Sequence, residues 1–131
     1  MPNEMKKIAV IILAAGSSSR MGKIKQLLKF KGNTLLETAI EAATTSNASA
    51  VFCVLGAHSE IIKKEIGPQH IDIIFNKEFN TGLSSSIVAG INHIEKRQVD
   101  LDAALIMLAD QPEVTPEYLN TLIAVVATVS A

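Results

Sequence analysis

The chain has 131 residues, 48% of them apolar, and a formal net charge of −1. That is the length of one domain, 1–131, with enough apolar side chain for a packed core and too much for a disordered chain. A nearly neutral chain has no global field to gather nucleic acid or an anionic membrane, and with one cysteine, Cys53, it cannot close an intrachain disulfide.

Lys6 and Lys7 precede an apolar run, Ile8 to Ala15. The run is too short to span a bilayer and ends in a polar, glycine-containing loop, so it is read neither as a signal peptide nor as a membrane helix, and a cytoplasmic location is expected. Ile8 to Leu13 is continuous and rich in β-branched residues, as a strand covered on both faces would be. Ala14 to Gly22 is small, polar and flanked by glycine, which reads as a loop. Thr34 followed by Glu37 forms a capping box that opens a helix, and Leu36, Ile40 and Ala43 fall on one face of it. Val51 to Leu55 is a second strand, and Cys53 within it reads as a buried, inert thiol. A short helix from about Ser59 to Ile66 is closed by Gly67-Pro68. Ile71 to Phe75 is a third strand, and Asn76 to Gly82 a loop. Ser84 or Ser85 is expected to cap a helix running to about Arg97. Ala103 to Leu108 is a fourth strand, read as buried and central, ending at Asp110. Thr115-Pro116 starts a final helix, with proline at its first position. From Thr121 to Ala131 the chain carries no charge and no capping signal. A domain rarely stops on its own apolar surface, so either the chain is cut short or this end packs on something else, self-association included.

Strands alternating with helices imply an α/β fold with a mainly parallel sheet. Ligands in such sheets bind at the carboxyl ends of the strands. That rule selects four loops: Ala14 to Lys25, Gly56 to Ser59, Asn76 to Ser86, and Asp110 to Thr115.

The first loop, LAAGSSSRMGKIKQLL over residues 13–28, carries the strongest chemical signal. Its small residues let a ligand approach the backbone closely, and exposed N–H groups in such a turn can hold an anion. Arg20, Lys23, Lys25, Lys29 and Lys31 follow, and no acid appears until Glu37. An uncovered basic cluster beside a small-residue loop suits a triphosphate; its bland alternative is a solvated basic edge. The P-loop does not fit, because five residues separate Gly16 from Gly22 and Ile24 follows Lys23. The dinucleotide fingerprint does not fit either, since only Gly16 is in place. Asp110, at a strand's carboxyl end, can bind Mg²⁺, an ion that takes one or two carboxylates plus phosphates and water; its alternative is a loop or capping aspartate. Gly82, Ser84 and Ser85 would set small residues and a helix N-terminus beside a nucleotide, or serve as ordinary capping. His58, His70 and His93 show no ligand spacing.

The loop at residues 13–28, the segment NKEFNTGLSSSIVAGI at 76–91 and LADQP at 108–112 together resemble, in order and in register, the MobA-like nucleotidyltransferases. Within them, LADQP with NTGLSSSI is most similar to the molybdenum cofactor cytidylyltransferases. The resemblance implies a Rossmann-like three-layer fold in which Leu13, Ala14, Ala15 and Gly16 seat a nucleoside triphosphate, CTP favoured. Arg20 and Lys25 would neutralise charge growing on its phosphates, and Asp110 would hold Mg²⁺. Asn76 would contact the base or ribose, where the bland reading is a turn asparagine, and Gly82, Ser84 and Ser85 would line the same site. A phosphorylated acceptor, molybdopterin by the resemblance, would receive the nucleoside monophosphate with release of pyrophosphate. Family members continue well beyond this length and carry a further acidic metal ligand there. The resemblance therefore implies a fold truncated at the C-terminus and an incomplete site. Two alternatives stay open: a non-catalytic nucleotide-binding or regulatory module, and a guanylyltransferase or other cytidylyltransferase of the superfamily.

Overall fold

The computed structural model describes residues 6–16, 19–20 and 23–128, with side chains for all of these except 19, 20, 23, 127 and 128. In chain order the elements are β1 (Ile8–Ala14), β2 (Ser19–Arg20), β3 (Lys23–Ile24), a 3-10 turn at Lys25–Leu27, β4 (Lys29–Phe30), β5 (Asn33–Thr34), α1 (Leu35–Thr45), β6 (Ala50–Leu55), α2 (Ser59–Ile66), β7 (Asp72–Phe75), a 3-10 turn at Phe79–Thr81, α3 (Leu83–Lys96), β8 (Ala103–Leu108) and α4 (Pro116–Thr128).

Four parallel strands form the sheet, in the order β7-β6-β1-β8. Every residue of β1 is buried, because the strand has a partner on each side and side chains on both faces. Val10, Ile12 and Ala14 point into one core with Leu36, Ala39, Ile40 and Ala43 of α1, Ile62 and Ile66 of α2, and Leu119 of α4. The alternate residues Ala9, Ile11 and Leu13 point into a second core with Ile87 and Ile94 of α3. Two cores on opposite faces of one sheet give the three layers that the run of alternating elements predicts. Cys53 lies wholly inside, and burial pushes its thiol up from 9.0 to about 12.

Local chemistry explains most element ends. The Thr34 hydroxyl accepts from the Glu37 backbone N–H at 3.0 Å, and the Glu37 carboxylate accepts from the Thr34 N–H at 3.0 Å, so the capping box is complete. The α2 helix stops at Gly67, whose φ of 72° few other residues adopt. Thr115 caps α4 by accepting from the Tyr118 N–H at 3.1 Å.

Three expectations are corrected. The third strand begins at Asp72 rather than Ile71. Neither Ser84 nor Ser85 caps α3; Gly82 stands at the cap with φ 107°, and both serines are inside the helix. Ser85 Oγ instead donates back to the carbonyls of Glu78 and Gly82. The stretch from Ser19 to Thr34, expected to be loop as far as Gly22 and given no element beyond it, contains two small antiparallel ladders, β2-β3 and β4-β5. The second turns through Lys31 and Gly32, both with positive φ, as a tight two-residue hairpin requires. In the sheet as described, β8 has β1 as its one neighbour among the described residues, and Ile106 is 43% exposed.

No helix among the described residues is long and apolar enough to cross a membrane.

Candidate functional site

The carboxyl ends of β1, β6 and β8 lie side by side and are stitched together. The Ala57 N–H donates to the Ala15 carbonyl at 3.3 Å, and the Ala109 N–H to the Leu13 carbonyl at 3.1 Å. The loops leaving these strands are thereby held at one end of the sheet, as the parallel order dictates.

The expected site residues fall into three groups. Leu13, Ala15, Gly16 and Gly82 line one cleft of about 360 Å³, together with Phe79, Asn80, Leu83 and Ser86. Ala14 is not on its wall; its side chain joins the core shared with α1. Asn76, Ser84 and Ser85 line a neighbouring larger groove, about 1000 Å³, between β7 and α3. Lys25 and Asp110 form the third group. The Lys25 ammonium sits 2.8 Å from the Asp110 carboxylate, with the two side chains 47% and 37% exposed. The ion pair joins the turn after the first loop to the end of β8. It brings together the residue expected on phosphate and the residue expected on metal, 85 positions apart in sequence. Of Arg20 the structure describes the backbone, in β2; its side chain, like residues 17–18 and 21–22, lies outside the described residues.

Asn76 is 3% exposed, and both ends of its amide are used inside the protein. Its Nδ2 donates to the hydroxyls of Ser85 and Ser86 at 2.9 and 3.0 Å, and its Oδ1 accepts from the Glu78 N–H at 2.9 Å. The residue fastens the loop after β7 to the first turn of α3. That loop also leans on Gly56. A Cβ at Gly56 would stand 2.4 Å from the Cβ of Phe79 and 3.0 Å from the Ala15 carbonyl, so only hydrogen there lets Phe79 close over the end of β1.

Sequence reasoning missed Gln26. It is 6% exposed, on the same 3-10 turn as Lys25, and its Nε2 donates to the carbonyls of Ala14 and Gly16 at 2.9 and 3.1 Å. A glutamine set among lysines reads as one more solvated residue, and no periodicity marks it as buried. Phe79 lies in the loop chosen by the strand-end rule but carried no signal of its own, whereas Ser86 closes the small-residue stretch from Gly82 that was expected beside the nucleotide.

As for metal ligands, the described residues contain no group of three or more His, Cys, Asp or Glu side chains placed to hold an ion. What Asp110 offers is one half-exposed carboxylate at the sheet's loop end. That fits Mg²⁺, which keeps several waters and takes phosphate oxygens for much of its shell.

The model of the MobA-like NTP transferase domain matches residues 10–131. The chain belongs to that family. With it comes membership of the nucleotidyltransferase superfamily, whose cytidylyl- and guanylyltransferases are among the relatives. The chain is 34% identical over 92 residues to the molybdenum cofactor cytidylyltransferase of Escherichia coli, covering 70% of this chain and 47% of that protein. It is 31% identical over 119 residues to a probable molybdenum cofactor guanylyltransferase of Bacillus cereus, covering 91% and 56%. It is also 32% identical over 109 residues to the nicotine blue oxidoreductase of Paenarthrobacter nicotinovorans, covering 78% and 48%. The chain thus spans about half the length of these relatives. Among solved structures, Rv0371c of Mycobacterium tuberculosis superposes with a TM-score of 0.74 at 25% identity, over 95% of this chain and 62% of that one. The manganese complex of the same protein gives 0.69 at 25% identity, over 92% and 60%. The α/β fold with its mainly parallel sheet is therefore shared with these solved structures.

Proposed function

We propose that this MobA-like domain transfers a nucleoside monophosphate, CMP from CTP, to a phosphorylated acceptor of the molybdopterin type, releasing pyrophosphate. The observation that carries the reading is the Lys25–Asp110 pair at 2.8 Å, beside the small-residue loop at the end of β1. One cationic and one metal-suited group flank the place where a triphosphate would lie. The choice of CTP over GTP rests on the likeness of LADQP and NTGLSSSI to the cytidylyltransferases.

In this reading the backbone of Leu13 to Gly16 seats the nucleotide in the cleft shared with Gly82. Lys25 and Arg20 neutralise charge growing on the phosphates. Asp110 is the residue that would hold Mg²⁺, and the ion would supply positive charge against the phosphates. Asn76 acts through the loop it fastens, because its amide is already engaged by Glu78, Ser85 and Ser86. Ser84 and Ser85 form the outer wall towards β7. The acceptor phosphate attacks the α-phosphorus in line, the bond to the β-phosphate oxygen breaks, and pyrophosphate departs. Such chemistry asks the protein for alignment and charge neutralisation more than for covalent help.

The test is to incubate the protein with Mg²⁺, molybdopterin and each of the four nucleoside triphosphates in turn, assaying pyrophosphate. Release with CTP above the others is expected. Nucleotide binding without release favours the non-catalytic module, release with GTP above CTP the guanylyltransferase, and absence of binding removes the reading altogether.

A further inference from the structure

We propose that Gln26 is the positioning residue of this site, setting the distance between the backbone of the first loop and the Lys25 ammonium. The proposal rests on the nucleotidyl-transfer reading and extends it to a residue with no expected role.

Lys25 and Gln26 are consecutive on one 3-10 turn and point opposite ways. Lys25 reaches out to Asp110, whereas Gln26 reaches in and spends both Nε2 hydrogens on the carbonyls of Ala14 and Gly16. Those carbonyls bracket the point where β1 becomes the loop. In a trans peptide the C=O and the following N–H point in opposite directions, so the Ala14 carbonyl tied inward turns the Ala15 N–H edge outward. One side chain therefore orients the loop backbone, and by its place on the turn fixes the base of Lys25. The turn is closed from its other side by the Leu28 N–H on the Lys25 carbonyl at 3.1 Å. Groups that bind charge act best when held before the ligand arrives, and their holding side chains must themselves be locked.

Among the described residues Gln26 Oε1 has no hydrogen-bond partner, so what the buried side chain contributes lies in its Nε2. Methionine would fill a similar volume and keep the position buried, but it would leave the Ala14 and Gly16 carbonyls without their donor.

The test compares wild type with Gln26→Met in thermal melts and in calorimetric titrations with CTP and Mg²⁺. The expected result is a folded variant with a lowered Tm, because two carbonyls lose their donor, and a nucleotide dissociation constant raised about tenfold or more. Lys25→Ala, costly in wild type, should cost little in the Gln26→Met background, because the ammonium it removes is already misplaced. Two results overturn the proposal: unchanged affinity in a folded Gln26→Met protein, or a Lys25→Ala change that costs as much affinity in the Gln26→Met background as in wild type, which makes Gln26 a structural residue only. If wild type itself binds no nucleotide, the underlying functional reading fails first and this one with it.

Discussion

Replacing Asp110 by asparagine keeps the side chain's shape and removes its charge. Without ligand the loss is that of the contact with Lys25. Two unit charges about 4 Å apart at an effective dielectric of about 20 attract by about 4 kcal/mol. Here the side chains are 47% and 37% exposed, so solvent screening and the entropy of two long side chains bring the net to roughly 0.2–1 kcal/mol. Asp110→Asn should therefore lower unfolding stability by under about 1 kcal/mol. With nucleotide and Mg²⁺ present the same change removes a charged ligand contact, worth roughly 1.5–3 kcal/mol, or about tenfold to a hundredfold in metal-dependent affinity. Lys25→Ala should behave differently, weakening nucleotide binding even without metal. It also frees the Asp110 carboxylate, so Mg²⁺ alone should bind the Lys25→Ala protein better than wild type. Urea unfolding gives the first magnitude, and calorimetric titration of CTP with and without Mg²⁺ gives the second. An Asp110→Asn protein with unchanged magnesium dependence would refute the metal assignment. A stability loss above about 2 kcal/mol would make the aspartate structural.

Gly56→Ala forces a methyl group to within 2.4 Å of the Phe79 Cβ. It should cost about 1–3 kcal/mol in urea unfolding and weaken nucleotide binding by displacing one wall of the cleft; wild-type stability in this variant would show that the Phe79 loop is not held there. For Cys53, the folded thiol titrates at about 12 against 9.0, so between those values the unfolded chain binds fewer protons and stability falls as pH rises, by at most about 1.4 kcal/mol per pH unit. Cys53→Ala should flatten that fall between about pH 9 and 11, read from urea midpoints. On α4, Tyr118 and Val125 are 53% and 58% exposed. The 131-residue chain should then self-associate or bind a hydrophobic dye, and a dye-silent monomer in light scattering would contradict this.

The parts of the fold legible in the sequence are those whose signal is local. The Thr34–Glu37 box, the Gly67 stop and the proline opening α4 each act within a few residues, and each stands where expected. β1 was legible because a strand buried on both faces is apolar throughout. The misses are positions where backbone conformation overrode residue type. The β4-β5 turn uses Lys31-Gly32, and lysine at a positive φ is not a usual hairpin signal. Ser84 and Ser85 are good caps by type, but Gly82 starts the helix earlier. At the site, spacing and residue type selected Lys25 and Asp110, though not that they would touch. Gln26 was illegible, since its partners are carbonyls that any sequence has.

The two small ladders between β1 and α1 stand outside the main sheet. Their segment is anchored at one end by Gln26 on Ala14 and Gly16, and at the other by the Leu35 N–H on the Leu28 carbonyl at 2.8 Å. On either side of Gln26, Ile24 and Leu27 pack against the core shared with α1. A change at either would be felt by that core and, through Gln26, by the backbone of Ala14 and Gly16 at once.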